Sequence, residues 1–244
     1  KQGLEIHYDG DLPARSGMGS SSAFTVGLMK ALYFLINEKV SNTDIGKKAI
    51  YFEQKKMKEI VGSQDQLATA LGGFNKIIFK KGNEFKFYNF KKNKNLKKLE
   101  KNLLLFYTKV TRTSQEIAKT YAGKLTTTNK NYINDMIGHV KIGEEILQKG
   151  NVDSFGRLLN SAWLTKKKLS NSVSNDSIDS LYSNAIKKGA LGGKLLGAGG
   201  GGFFLFYVRN EIKNSFIKAN NKMINIPFKF SQTGSEILFN EQKK

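Results

Sequence analysis

The chain has 244 residues, enough for one large or two modest domains with real cores, and 39% of them are hydrophobic. No apolar run approaches the length of a bilayer span and the opening residues carry no charged-then-apolar leader. There is no cysteine, which excludes disulfide and thiolate chemistry. Forty Lys and Arg against twenty Asp and Glu leave a formal charge of +20, which would suit a nucleic acid, an anionic surface or a phosphorylated ligand. The lysines are spread along the whole chain, however, as on a solvated surface.

Leu4-Glu5-Ile6-His7-Tyr8 alternates and predicts a strand ending at Asp9-Gly10. A Pro-led, Gly/Ser-rich loop, Leu12 to Ala23, then runs directly into an apolar helical pattern over Phe24 to Ile36. Ser41-Asn42-Thr43-Asp44 caps a second helix, Asp44 to Ile60, broken by Val61-Gly62-Ser63. A short helix, Asp65 to Leu71, ends at Gly72-Gly73, and Asn75–Lys80 with Glu84–Phe90 reads as a hairpin about Lys81-Gly82-Asn83. Lys91 to Lys101 is a Lys/Asn-rich connection, and a domain boundary is placed there, dividing the chain into 1–99 and 100–244. Leu103 to Tyr107 is a compact apolar run that predicts a buried strand. Helices follow over Ser114–Tyr121, Asn131–Lys149, Asp153–Leu169 and Ser177–Lys188. Next comes a loop, residues 189–202, with eight glycines in fourteen residues. A strand over Phe203–Val208, a helix over Glu211–Asn221 and strands over Pro227–Ser231 and Glu236–Phe239 close the chain. Strands and helices mix without a strict βαβ rhythm, so the fold class is α+β.

Three stretches carry chemistry. In the first, Pro13-Ala14-Arg15-Ser16-Gly17-Met18-Gly19-Ser20-Ser21-Ser22 leads into a helix N-terminus, where unpaired amides and the helix dipole favour an anion. Gly17 and Gly19 permit close backbone approach, and Ser20, Ser21 and Ser22 add hydroxyls. The spacing and lysine of a Walker A loop are missing, and a Ser N-cap after a turn reads equally well from this loop by itself. In the second, Gly62-Ser63-Gln64-Asp65-Gln66, Asp65 is either a helix cap or a positioned carboxylate. The third, Lys194 to Gly202, is a glycine run bracketed by apolar strand patterns, which a flexible linker rarely is. His7 and His139 lack the partner spacing of a zinc site.

In this order the three stretches resemble the motifs of the GHMP small-molecule kinases, the superfamily of galactokinase, homoserine kinase and mevalonate kinase. The resemblance covers Leu4 to Phe239. It implies a two-domain fold, with a ribosomal-protein-S5-like first domain over 1–99 and a ferredoxin-like α+β second domain over 100–244. It implies ATP-dependent phosphorylation of an alcohol, with Pro13, Gly17, Met18, Gly19, Ser20, Ser21 and Ser22 on the nucleotide. Asp65 matches the catalytic aspartate, Ser21 and Glu53 the Mg²⁺ ligands, and Gly199 and Gly200 sit in the loop packed on the active site.

Further wording resembles the bacterial kinases that phosphorylate C1 of D-glycero-D-manno-heptose 7-phosphate for nucleotide-activated heptose and surface polysaccharide. It comprises Thr111-Arg112-Thr113-Ser114, Trp163-x-x-Lys166-Lys167, Ser174-Asn175-x-x-Ile178-Asp179 and Gly189-Ala190-x-Gly192-Gly193-Lys194. Arg112 and Lys194, with Lys167 behind them, are the candidates for the sugar's phosphate, and Trp163 is assigned to the core. The implied partners are ATP and a phosphorylated sugar rather than nucleic acid or membrane, in a cytoplasmic protein that could be a homodimer. A GHMP kinase of a free sugar, of fucokinase or galactokinase type, is the alternative within the fold. A non-catalytic basic nucleic-acid-binding domain is the alternative outside it. The chain departs from the family at Arg15 and Met18, and it has only about ten residues before the phosphate loop, so an N-terminal segment is expected to be missing.

Overall fold

The computed structural model describes residues 3–12, 17–80, 84–111, 114–125 and 127–241, without the side chains of Ser114 and Gln115. Its first part is helical. α1 (Ser20–Leu35), α2 (Asn42–Tyr51) and α3 (Gln64–Leu71) pack around Val26, Ile45, Ala49 and Ala70. α2 opens on a side-chain cap, Ser41 Oγ accepting from Asp44 N at 3.1 Å. Gly46 lets α2 and α3 close up, since a Cβ there would lie 2.9 Å from Leu67 Cδ2. The single helix expected to run to Ile60 is cut short: α2 gives way to a π-turn over Phe52–Lys56, and Lys58 adopts φ 56°. A hairpin, β1 (Asn75–Phe79) with β2 (Phe85–Asn89), stands apart as a two-stranded antiparallel sheet.

The second part is a four-stranded antiparallel sheet in the order β4-β5-β3-β6, from β3 (Leu103–Tyr107), β4 (Gly192–Leu195), β5 (Phe203–Tyr207) and β6 (Ile224–Ile226). Successive residues of β3 are buried on opposite faces, which is why the strand reads as an unbroken apolar run. One face sets Leu104, Phe106, Phe204 and Phe206 against Trp163 of α7 (Asp153–Lys167), Ile178 and Tyr182 of α8 (Asp176–Lys187) and Phe216 of α9 (Lys213–Ala219). The other buries Leu103 and Tyr207 against Leu96 and Leu99 of α4 (Asn95–Asn102) and Leu147 of α6 (Lys130–Lys149). α5 (Ser114–Ala122) completes the helices among the described residues.

Four expectations are corrected. Residues 4–8 form no strand; Leu4, Ile6 and Tyr8 are exposed, and an alternating segment without a neighbour has no ladder to join. The Lys/Asn-rich connection contains α4, whose Leu96 and Leu99 are one turn apart and buried. The last strand is Ile224–Ile226, and 227–231 and 236–239 are not strands. Finally, Gly192–Leu195, expected to be loop, is the edge strand β4. Glycine is required there by proximity to α7, since a Cβ on Gly192 would lie 2.0 Å from the Gly156 carbonyl oxygen.

Candidate active site

α1 begins on Gly19, held at φ 71° in the left-handed region, and no side chain caps it. The first backbone bond of the helix runs from Ala23 N to Gly19 O at 2.9 Å, which leaves the amides of Ser20, Ser21 and Ser22 ahead of it. No acidic residue stands in this first turn. The helix therefore presents an anion-accepting end, with Gly17 also at positive φ in front of it.

Two carboxylates face that end. Asp65, in the first turn of α3, packs directly on Gly19: a Cβ there would come within 3.0 Å of Asp65 Cγ. Burial, reinforced by the nearby charge of Glu53, holds the Asp65 carboxyl above its ordinary value, against a lowering hydrogen bond from Gln64. Glu53 is delivered by the π-turn and is 1% exposed. Its Oε2 accepts from Ser22 Oγ at 3.0 Å and from Gln66 Nε2, while its Oε1 is buried with no partner among the described residues. Gln54 holds the segment between the carboxylates, donating to Val61 O at 3.0 Å and to Ser63 Oγ at 3.1 Å.

From the sheet domain the glycine loop meets the same place. Gly197 abuts Gly17 so closely that a Cβ would lie 2.8 Å from the Gly17 Cα. Gly200 N donates to Val173 O at 2.7 Å and Gly202 N to Val110 O at 2.9 Å. Lys194, on β4 just ahead of this loop, has its ammonium pushed below its ordinary pKa by burial, and no ion pair holds it among the described residues.

The expected residues thus fall into groups. Gly17, Met18, Gly19, Ser20, Ser21, Ser22, Glu53 and Asp65 converge at the start of α1, and Gly199 and Gly200 lie in the loop that reaches it. Two details differ. The serine that meets Glu53 is Ser22, because residue 21 points to the exposed side of α1. Lys167 is engaged with Asp179 at 2.7 Å, an oxygen that also accepts from Ser174 Oγ, so it is not free for a phosphate. Trp163 is fully buried against Phe204, a core position. Pro13 and Arg112 lie outside the described residues, as does Arg15. Gln66 was missed, although a polar residue directly after a first-turn Asp was a readable signal.

Comparison with known proteins decides the family. The profile of the GHMP kinases N terminal domain matches residues 1–73, and that of the GHMP kinases C terminal matches residues 144–222. The chain belongs to the GHMP kinases. It is 33% identical over 229 residues to D-glycero-alpha-D-manno-heptose 7-phosphate kinase of Campylobacter jejuni, covering 90% of this chain and 65% of that one. A galactokinase of Pyrococcus furiosus is 27% identical over 234 residues, covering 82% of this chain and 63% of its own. Among solved structures, a D-glycero-D-manno-heptose 1-phosphate kinase from Bacteroides thetaiotaomicron superposes with a TM-score of 0.67 at 27% identity, covering 92% of this chain and 64% of that one. The chain spans just under two thirds of the length of these relatives. The mixed helix-and-sheet architecture is that of the two-domain GHMP fold.

Proposed function

We propose that this GHMP kinase chain transfers the γ-phosphoryl group of ATP to the anomeric C1 hydroxyl of a sugar phosphate, with D-glycero-D-manno-heptose 7-phosphate giving the 1,7-bisphosphate. The observation that carries it is the packing of Asp65, a carboxyl kept above its ordinary pKa, directly against Gly19 at the open end of α1. In this arrangement the amides of residues 20–22 and the flanking hydroxyls hold the triphosphate, and Asp65 aligns and accepts the proton of the attacking hydroxyl. No covalent enzyme intermediate is needed; positioning and charge neutralisation supply the rate.

Glu53 fits a divalent cation. Its Oε2 is saturated by Ser22 and Gln66, and its buried Oε1 faces no donor among the described residues, an arrangement costly for a carboxylate unless a cation completes it. Magnesium would be held by Glu53, beside the Ser22 hydroxyl that already reaches this carboxylate, with Ser21 exposed on the same turn as the second candidate ligand, and when bound would neutralise charge on the transferring phosphate. The sugar's own phosphate is assigned to Lys194 and Arg112. A partly buried ammonium, lowered by desolvation and without an ion-pair partner among the described residues, suits an anion. Arg112 follows, by two residues, the Val110 carbonyl bound to Gly202 of the glycine loop. The heptose-phosphate relatives support the choice of sugar, and cytoplasmic synthesis of activated heptose is the setting proposed for it.

The test is ADP release from Mg·ATP across D-glycero-D-manno-heptose 7-phosphate, mannose 6-phosphate, fucose and galactose. Turnover confined to the heptose phosphate is expected, with Arg112→Ala raising its KM. Turnover of a free sugar alone would move the protein to the fucokinase or galactokinase type. Salt-sensitive binding of nucleic acid without turnover of any sugar would remove it from catalysis.

A further inference from the structure

The turn from Gly197 to Gly202 carries only the methyl group of Ala198, so its conformation must be fixed from outside. Two side chains from outside the loop do this. Lys166, near the end of α7, is 5% exposed, and its Nζ donates to Leu195 O at 3.0 Å and to Gly197 O. Leu195 ends β4 and Gly197 opens the turn, so one cation spans the strand-to-loop junction. Asn175 works from the other side. Its Oδ1 caps α8, accepting from Ile178 N at 3.0 Å, while its Nδ2 donates to Gly200 O at 3.2 Å. Between the two anchors Gly199, at φ 119°, lies against Val173.

The held turn is the part that touches the other domain. Gly197 rests on Gly17, and Gly17 leads into Gly19 and the open amides of α1. We infer that Lys166 and Asn175 are positioning residues for nucleotide binding: by fixing the turn from Gly197 to Gly200 they brace Gly17 and set the shape of the phosphate loop. A brace this direct transmits small errors, because displacements of an ångström or less at a phosphate cradle degrade several charge-assisted contacts together. The inference rests on residues 17–22 forming that cradle.

Three variants of the intact protein separate the possibilities, read by equilibrium titration with a fluorescent ATP analogue, by KM and kcat, and by nucleotide-free thermal unfolding. Lys166→Met keeps the length of the side chain and removes the bonds to Leu195 O and Gly197 O; the Kd for the analogue and the KM for ATP are expected to rise about tenfold, with a smaller change in kcat. Asn175→Asp keeps the helix cap, at which Asp serves as well as Asn, and replaces the donor to Gly200 O by a repelling oxygen. It is expected to weaken ATP binding severalfold with only a small fall in nucleotide-free Tm, a split that a purely structural role would not give. Gly17→Ala alters the cradle directly. ATP affinity lost in Gly17→Ala but retained in Asn175→Asp and in folded Lys166→Met would overturn the inference and leave the cradle standing. Affinity retained in Gly17→Ala would remove the cradle itself, and the inference with it. Should Lys166→Met not fold, Asn175→Asp decides alone, and wild-type ATP affinity in it overturns the bracing role.

Discussion

The two glycine-rich loops that meet at Gly17 and Gly197 are built on opposite principles. Residues 17–19 have few ties: among the described residues the one backbone bond outward is that from Ala23 N to Gly19 O, and α1 lacks a side-chain cap. Residues 197–202 are tied almost at every step, by Lys166, Val173, Asn175, Val110 and Thr108, the last donating to Gly202 O at 2.8 Å. The first loop leaves its amides open among the described residues, and the second uses its groups to hold its own turn in place. The carboxylates obey the same division. Glu53 is gripped through one oxygen by Ser22 and Gln66 and left bare at the other, whereas Asp179, despite burial, is held below its ordinary pKa by Lys167 and Ser174 and is a finished structural contact.

The largest effect that would sharpen this contrast is at the reacting end. Asp65→Asn is expected to lower kcat by roughly a hundred- to ten-thousand-fold while leaving nucleotide Kd unchanged; a fully active variant would remove Asp65 from the mechanism. Next is Ser22→Ala, which removes one of the two donors that orient Glu53 through Oε2 and should weaken Mn²⁺ binding to the nucleotide complex by roughly tenfold, measured by electron paramagnetic resonance. Ser21→Ala in the same titration tells whether residue 21 is a ligand in its own right. On the supporting side, Gly199→Ala sets a Cβ 2.6 Å from the Val173 carbonyl oxygen at a φ that L-residues avoid, and should cost about 1–3 kcal/mol in denaturant unfolding. An equal loss of stability from Gly19→Ala and Gly199→Ala would blur the distinction between binder and scaffold.

The smallest effect is electrostatic. The folded-state pKa of Asp65 is raised above the ordinary 3.8, so its contribution to stability is fully present below that value and is lost as pH rises through the folded pKa. Above it the buried charge is a standing cost. Asp65→Asn should therefore melt higher than the wild type at neutral pH, and the difference should vanish as the pH is lowered toward the ordinary carboxylate range. A neutral-pH Tm below the wild type would mean that Asp65 is a stabilising cap instead.

Much of this was legible in the sequence, for identifiable reasons. The apolar run at Leu103–Tyr107, the cap at Ser41 and the two glycine-rich stretches are local signals that tertiary structure left intact. β4 was hidden because its glycines answer to the close approach of α7, which no local pattern encodes. The lysines of residues 91–101 masked Leu96 and Leu99, and the π-turn at Glu53 leaves no mark in helix periodicity. At the site, Asp65 and Glu53 could be named from their motifs, but which serine turns toward Glu53 depends on the rotation of α1, and Gln66 and Lys166 acquire roles through partners distant in the chain.

The most direct test of the central claim is the ³¹P NMR spectrum of a reaction containing Mg·ATP and D-glycero-D-manno-heptose 7-phosphate. The expected result is a new anomeric phosphate signal rising in step with ADP while the 7-phosphate signal persists, and the absence of that new signal with Asp65→Asn. Phosphate appearing only as inorganic phosphate, or a new anomeric signal undiminished in Asp65→Asn, would contradict a sugar-phosphate kinase working through the carboxylate packed on Gly19.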